Sequence, residues 1–415
     1  MDIKNSTRNH GVDRAGLVAG QRVITNQSNF TPRPSKALEG RRENMLVLLR
    51  ELRRANNLTR SDLAERTGLA VPTVHRLLTS LLDSGLVVEN PSALATGKIG
   101  RRSSLYHFNR SVLSVAGVDI GNETTRVAIA TADGMIVGSR SLLTSEVARD
   151  LPRKIAATVA SIMSSSSTEV GPLVGAGIGI AGTVDSATGV VTRAYIHQSW
   201  VGVPMKALLE KRLACPVVLE QDDHLSVLAE VSNRGTVPGA TLVVEVDYGR
   251  GIGAAALIDG VVAKGFHGRS GRITHWPSEL SPGVTIGDEI TPDAMVAAYR
   301  AEGGADLVAD GEGLCELARA GDPIAMRIVG RASKSLAGVF LRLATMFDPE
   351  YMILGGGFAG SFDLFEQEIR EALSVLTYPP EVRPTSIGSD SVVIGGLLVA
   401  DQFIERSIAD QVALL

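Results

Sequence analysis
Cysteine is scarce in this 415-residue chain: only Cys215 and Cys315 occur, far apart. Neither a disulfide framework nor a cysteine zinc cluster can be built from two such residues, and a reducing compartment fits. Long hydrophobic runs are missing as well. No stretch approaches the roughly 20 apolar residues that span a bilayer, and the opening MDIKNSTRNHGVDRAG lacks the apolar core of a secretory leader. A soluble, unexported, cytoplasmic protein with no membrane partner is expected. What remains is 44% hydrophobic and 21% charged, the balance of a globular protein, and the length implies two or three domains.

The net charge of −4 hides an asymmetry. Residues 1–110 hold 18 Lys and Arg against 9 Asp and Glu, while the rest of the chain holds 23 against 36. The two parts therefore carry +9 and −13. A basic end suits a polyanion, although on charge alone a solvated surface suits it equally.

Residues 1–38, rich in Asn, Ser, Thr, Pro and Arg without periodicity, read as a flexible arm. Between Ala37 and Ala55, Leu38, Met45, Leu46, Leu48, Leu49 and Leu52 recur at helical spacing. Thr59 and Asp62 form a capping-box pattern that opens a second helix ending at Thr67, where Gly68 breaks it. A third helix starts near Val71 with Pro72 in its first turn, where a missing N–H is harmless. Val74, Leu77, Leu78 and Leu81 form its apolar stripe, leaving Pro72, Thr73, Arg76 and Thr79 outside, with His75 at the edge. After Gly85 come LVVEN, a basic loop GKIGRR and SSLYHFN, two strands joined by a wing.

Three helices followed by a wing is the order of a winged helix-turn-helix, placed here in residues 39–110. The third helix is then the candidate for a DNA major groove, with Lys98, Arg101 and Arg102 on phosphate or minor groove. A helix, a Gly turn and a helix also occur in many small bundles. The wing, the basic balance and the separate large remainder favour DNA. His75 alone fits a solvated helix residue as readily as a base reader.

Residues 111–415 are glycine-rich and acidic, and they repeat themselves. GVDIGNETTRVAIATADGMIVG (117–138) and VEVDYGRGIGAAALIDGVVAKG (244–265) share one plan: an apolar strand with an Asp, a Gly turn, a second strand, an Asp-Gly turn and a third strand. Two lobes, each opened by such a meander, with a cleft between them, are expected.

These segments, together with VGAGIGIAGTVDSATGVV (174–191), EQDDHLSVLAE (220–230), GFHGRSGRITH (265–275), YMILGGGFAG (351–360) and VIGGLLVA (393–400), resemble the ROK family. Its members are sugar kinases and sugar-responsive transcriptional repressors with an actin and hexokinase-like fold. The resemblance spans about residues 40–405, and the attached winged helix, with GRR entering the second wing strand, is the pattern of the branch holding the xylose and N-acetylglucosamine repressors. It implies an α/β protein: an N-terminal winged helix-turn-helix, then a two-lobed ROK domain for effector binding and oligomerisation.

Asp222 matches the catalytic Asp position of the kinases, but the preceding sugar-binding Asn is Gln221. The first phosphate loop, usually Asp-x-Gly-Gly-Thr, here runs Asp119-Ile120-Gly121-Asn122-Glu123-Thr124. Glu123 sets a carboxylate beside the polyphosphate path and should repel it. In the second loop Arg250 stands where the kinases carry Thr. Both loops look spoiled for ATP, so no enzyme activity and no cofactor are expected, and the Gly355-Gly356-Gly357 turn is read as structural. The family's zinc site pairs a His with three Cys; after His275 comes WPSELSPGVTIGDE without a Cys, so no metal is expected.

Gly182, Gln221, Asp222, Arg272 and His275 are the effector-binding candidates implied by the resemblance. Arg272 replaces a Glu that accepts sugar hydroxyls, so a small effector is expected to be anionic or otherwise atypical; an intramolecular salt bridge to Glu123 or Asp222 is the rival reading. The resemblance thus implies a cytoplasmic regulator, a repressor of a carbohydrate operon. Its partners would be double-stranded operator DNA with an inverted repeat, a small carbohydrate-type effector, and its own copies in a homodimer or tetramer. A sugar kinase with a regulatory DNA-binding domain, and a regulator controlled by a protein partner, are the alternatives.

Overall fold
The computed structural model describes residues 19, 22, 38–55, 57–90, 104–194, 197–233, 242–305, 308 and 310–415. The chain opens with helices α1 (Leu38–Arg54), α2 (Arg60–Thr67) and α3 (Val71–Asp83), then strands β1 (Val87–Asn90) and β2 (Leu105–Phe108), paired antiparallel. The capping box forms as expected. Asp62 N donates to Thr59 Oγ1 at 3.1 Å and Thr59 N donates to Asp62 Oδ2 at 2.8 Å, which satisfies two amides that a helix start leaves orphaned. Gly68, at φ +70, ends α2 in the left-handed conformation that turns the chain into α3. Val74, Leu77, Leu78 and Leu81 are buried against Met45, Leu48, Leu49, Leu52 and Leu63.

The first lobe comprises β3 (Ser114–Ile120), β4 (Thr124–Thr131), β5 (Ile136–Leu143), α4 (Leu151–Ser165), β6 (Leu173–Ile180), the hairpin β7 (Gly182–Val184) and β8 (Val191–Ala194), α5 (Met205–Leu213) and β9 (Val217–Gln221). Helix α6 (Asp222–Asn233) leads to the second lobe, with β10 (Leu242–Tyr248), β11 (Ile252–Ile258), β12 (Val261–Val262), α7 (Pro323–Phe347), β13 (Tyr351–Gly355) and β14 (Glu381–Pro384). Helix α8 (Ser391–Ala413) closes the chain. The main sheets run β5-β4-β3-β6-β9 and β12-β11-β10-β13-β14. Each is an antiparallel meander extended by two parallel strands, so the internal repeat read from the sequence is a repeated topology.

Helix α8 returns to the first lobe and lies close on its sheet. A Cβ at Gly177 would sit 2.0 Å from the Gly396 carbonyl oxygen, and one at Gly117 would sit 2.3 Å from that of Val393. On another side α8 packs against α6, and on a third it meets α1. Leu397, Ile404, Ile408 and Val412 thereby share one apolar core with the winged unit. Arg22 bridges Met135 and donates from Nε to the Asp133 carbonyl at 2.9 Å. Among the described residues no helix is long and apolar enough to cross a membrane.

Candidate nucleic-acid interface and ligand cleft
The outer face of α3 is laid out as its periodicity requires. Pro72, His75, Arg76 and Thr79 are exposed and Thr73 is half-buried. Thr79 Oγ1 is bonded back to the His75 carbonyl at 3.0 Å, while Arg76 has its charge at the surface. Lys98, Arg101 and Arg102 lie outside the described residues. At the start of α1, Arg41 and Arg42 donate to the Leu415 and Ala413 carbonyls, at 3.1 and 2.6 Å, so the unit is tied to the chain's last residues.

Between the lobes lies a cavity of about 370 Å³, within the range of small-molecule sites. The two loops likened to phosphate loops face it, one from each lobe, with Asn122 on the first and Gly249 to Gly251 on the second. Of the five effector candidates, Gly182, Asp222 and Arg272 line it, joined by Asp223, Asp247 and Thr274, which were not singled out. Asp247 had a signal, since it is the counterpart in the second meander of Asp119 in the first.

Two candidates do not line the cavity. Gln221 is buried (1% exposed), and its amide donates to the Gly268 carbonyl at 3.0 Å and to His224 Nε2 at 3.1 Å. Its amide nitrogen therefore braces the 265–272 segment against α6. The reason is geometric: Gln221 ends β9 with its side chain on the interior side, while the next residue, Asp222, opens α6 at the cavity. His275 stands at the surface, where its Nε2 is 2.7 Å from Arg193 Nη1. Arg193 had no signal in the sequence, because the contact joins residues 82 positions apart.

The carboxyls at and beneath the cavity floor are buried. Burial pushes the Asp119 carboxyl up to about 7, against the pull of Arg126, whose Nη1 lies 3.4 Å from Asp119 Oδ2. Burial likewise raises Asp247 to about 6. Asp222 and Asp223 are raised well above the usual carboxylate range, by burial first and then by neighbouring carboxylates. A protonated carboxyl donates as well as accepts, so the floor can hydrogen-bond ligand hydroxyls in either sense.

At the mouth of the cavity, the residues that depart from the kinase loops face one another. Arg250 Nη1 lies 3.7 Å from Glu123 Oε1 and its Nη2 3.5 Å from Asp293 Oδ2. Glu123 is thus paired with Arg250, not with Arg272. Higher in the cleft, Gly271, at φ +81 and with its Cα pressed on Ala254, delivers Arg272 to the wall. Burial and then the nearby Arg193 charge push the Arg272 guanidinium down to about 10. A Cβ at Gly355 would meet Glu245 Oε1 at 2.2 Å and one at Gly356 would meet Asp247 Oδ1 at 2.4 Å, which accounts for these glycines by packing. Among the described residues no group of three or more His, Cys, Asp or Glu side chains could hold a metal ion.

Comparison with known proteins places this geometry. The ROK family model matches residues 115–402, and the model of the IclR helix-turn-helix domain matches residues 43–91. A glucokinase from Thermotoga maritima is 29% identical, over 69% of this chain and 93% of its own. The xylose repressor of Caldicellulosiruptor bescii is 23% identical, over 85% of this chain and 94% of its own. Among solved structures, a ROK family transcriptional regulator described as a homologue of the E. coli MLC protein superposes with a TM-score of 0.68 at 17% identity, covering 90% of this chain and 98% of that one. The fold, a helix-turn-helix unit followed by an actin and hexokinase-like ROK domain, is therefore shared.

Proposed function
The chain belongs to the ROK family, and from that membership we propose that it is a DNA-binding transcriptional repressor of a carbohydrate uptake or catabolism operon, controlled by a small carbohydrate-type effector in the inter-lobe cleft. One observation carries this reading: the winged unit, with the outer face of α3 open to solvent, is packed on α8, which also packs against α6, whose first residues line the cleft. Residues 39–110 are the DNA-binding part and 111–415 the effector-binding and oligomerising part. Pro72, Thr73, His75, Arg76 and Thr79 face the major groove, with Lys98, Arg101 and Arg102 on the backbone. Gly182, Asp222 and Arg272 meet the effector. A two-fold homodimer, alone or paired into a tetramer, would read an inverted repeat in the cytoplasm. The xylose repressor's similarity over most of both chains supports the regulatory reading.

Enzyme activity does not belong to this reading, because Glu123 and Arg250 bridge the path a nucleotide polyphosphate would take. The similarity to a glucokinase keeps a kinase as the second reading. An effector acts only by its differential affinity for the DNA-competent and incompetent arrangements. Selection of duplexes from random sequence by the full chain, followed by footprinting, tests the proposal. Enrichment of a palindromic site whose occupancy changes with a cleft ligand is expected. No enrichment, together with sugar-dependent ATP consumption, would replace it with the kinase reading.

A further inference from the structure
A second cavity, of about 280 Å³, lies within the first lobe, and none of its lining residues belongs to the cleft. Its apolar lining comes from Leu151 at the start of α4, from Trp200 and Val203, and from Met205 and Leu208 on α5. Leu151, Trp200 and Met205 are buried, and the Trp200 indole donates from Nε1 to the Ala148 carbonyl at 3.1 Å, which fixes the tryptophan to the turn before α4. The Val203 carbonyl accepts from the Val191 amide at 3.0 Å, and Val191 lies on β8, in the hairpin that carries the cleft-lining Gly182. The lining also holds two exposed guanidiniums, Arg149 and Arg212, from different elements. Neither makes a hydrogen bond or an ion pair to a described residue. The lining's carboxylate, Asp150, is taken by Arg153, whose hydrogen bond holds it below the ordinary carboxylate range, with the charges of Arg153, Arg212 and Lys154 adding to that effect. The flanking Arg153, Lys154 and Lys211 are exposed, so this corner is basic on a domain that carries −13 overall.

We infer that this cavity is a second ligand site, separate from the cleft, for a small organic acid with an apolar body: a ring or branched chain packs on Trp200 and Leu208 while the carboxylate meets Arg149 and Arg212. An apolar lining with a few convergent polar groups is the usual make-up of a small-molecule site, and the volume here admits one ring-sized group. The guanidinium fork matches a carboxylate in geometry as well as in charge. A neutral apolar molecule would gain nothing from the two guanidiniums, and a bare anion would gain nothing from the apolar lining, so the site favours a ligand that has both parts. An occupant would also rest against Val203, and through it against the hairpin that reaches the cleft.

Phenylacetate is the probe, with 2-phenylethanol as its neutral counterpart and acetate as the acid without an apolar body. The chain has two tryptophans, Trp200 and Trp276, so Trp276→Phe in the full chain leaves Trp200 as the reporter at this cavity. Phenylacetate should change the emission of that variant saturably, with the affinity that calorimetry gives for the parent. 2-Phenylethanol and acetate should each bind at least about 5-fold more weakly, the first for want of charge and the second for want of burial. Arg149→Met and Arg212→Met should each weaken phenylacetate by about 3-fold. Both side chains are exposed, so the melting temperature should hold. Leu208→Glu, at a position 40% exposed, sets a carboxylate on the lining and should abolish binding without unfolding the chain. No phenylacetate binding, equal binding of either control compound, an affinity that none of the three variants alters, or calorimetric binding without a change at Trp200 would overturn the inference. A surface that takes only an acidic peptide or a second copy of the chain would bind no phenylacetate and would count against it in the same way.

Discussion

Arg53, at the end of α1, is paired with Asp401 on α8, and its side chain is only 2% exposed. The same guanidinium reaches Glu405, donates from Nε to the Ala132 carbonyl at 2.7 Å and lies over the Phe108 ring at 6.0 Å. One side chain thus joins the first helix of the winged unit to the last helix of the chain and to the first lobe. Asp401 is itself raised by burial, with Arg53 opposing that rise. A buried pair of this kind contributes little net stability against an apolar replacement, but removal of one partner strands the other. Arg53→Ala is therefore expected to destabilise the packed unit by about 3–5 kcal/mol. Calorimetric melting should split off a lower transition, and a ligand added to the variant should no longer change DNA occupancy. An unchanged melting curve with intact ligand response would mean that coupling runs elsewhere.

The carboxyls on the cleft floor set a pH dependence of definite sign. Asp119 is near 3.8 when unfolded and about 7 in the fold, so the folded chain holds its proton more tightly. Its contribution is complete below about pH 4. It is lost as pH rises towards and through about 7. Asp119→Asn keeps the neutral shape and removes that loss. The variant should match the parent near pH 4 and be more stable at pH 8. The ceiling is about 4 kcal/mol, less whatever Arg126 loses as a partner. Melting temperatures of both proteins across that range check it; a constant difference between them would show that Asp119 does not titrate as stated.

Much of the fold was legible because it is local. The stripe of α3, the Thr59–Asp62 box and both meanders follow from spacings of a few residues, which periodicity and turn chemistry report directly. The cavity lining was legible only where the chain enters the cleft directly, as at Asp222 and Arg272. Gln221 does not line the cavity, because its neighbours, Gly268 and His224, are brought to it by tertiary packing. Arg193 and Arg53 were invisible for the same reason: their partners are 82 and 348 positions away, and no local pattern marks an arginine that will be paired across a lobe or a domain.

On DNA, the exposed Arg76 and the half-buried Thr73 of α3 are expected to reach base edges. Arg76→Ala should relax preference at one or two operator positions by about 1–3 kcal/mol per contact if the contact is bidentate. Arg101→Ala should weaken all duplexes alike and flatten the salt dependence by about one phosphate contact. Binding of selected and scrambled duplexes by fluorescence anisotropy at several salt concentrations separates the two. Equal loss on both duplexes for Arg76→Ala would make it a backbone contact.

Glu123 and Arg250 give the last prediction, which concerns catalysis. Both side chains are more than half exposed and 3.7 Å apart, so the pair contributes at most about 1 kcal/mol to stability and can be altered without unfolding the chain. Its effect on a polyphosphate is larger in kind than in energy, since Glu123 repels the ligand while Arg250, held by Glu123 and Asp293, stands across the route between the lobes. The parent should therefore consume no ATP above background with glucose, xylose or N-acetylglucosamine. Glu123→Gln should bind ATP more tightly than the parent, by several-fold at low ionic strength, since one repulsive charge is gone. It should still fail to turn over, because Arg250, which is also paired with Asp293, still stands across the route. Sugar-dependent turnover by the parent at pH 7 would overturn this, and the chain would have to be counted among the kinases.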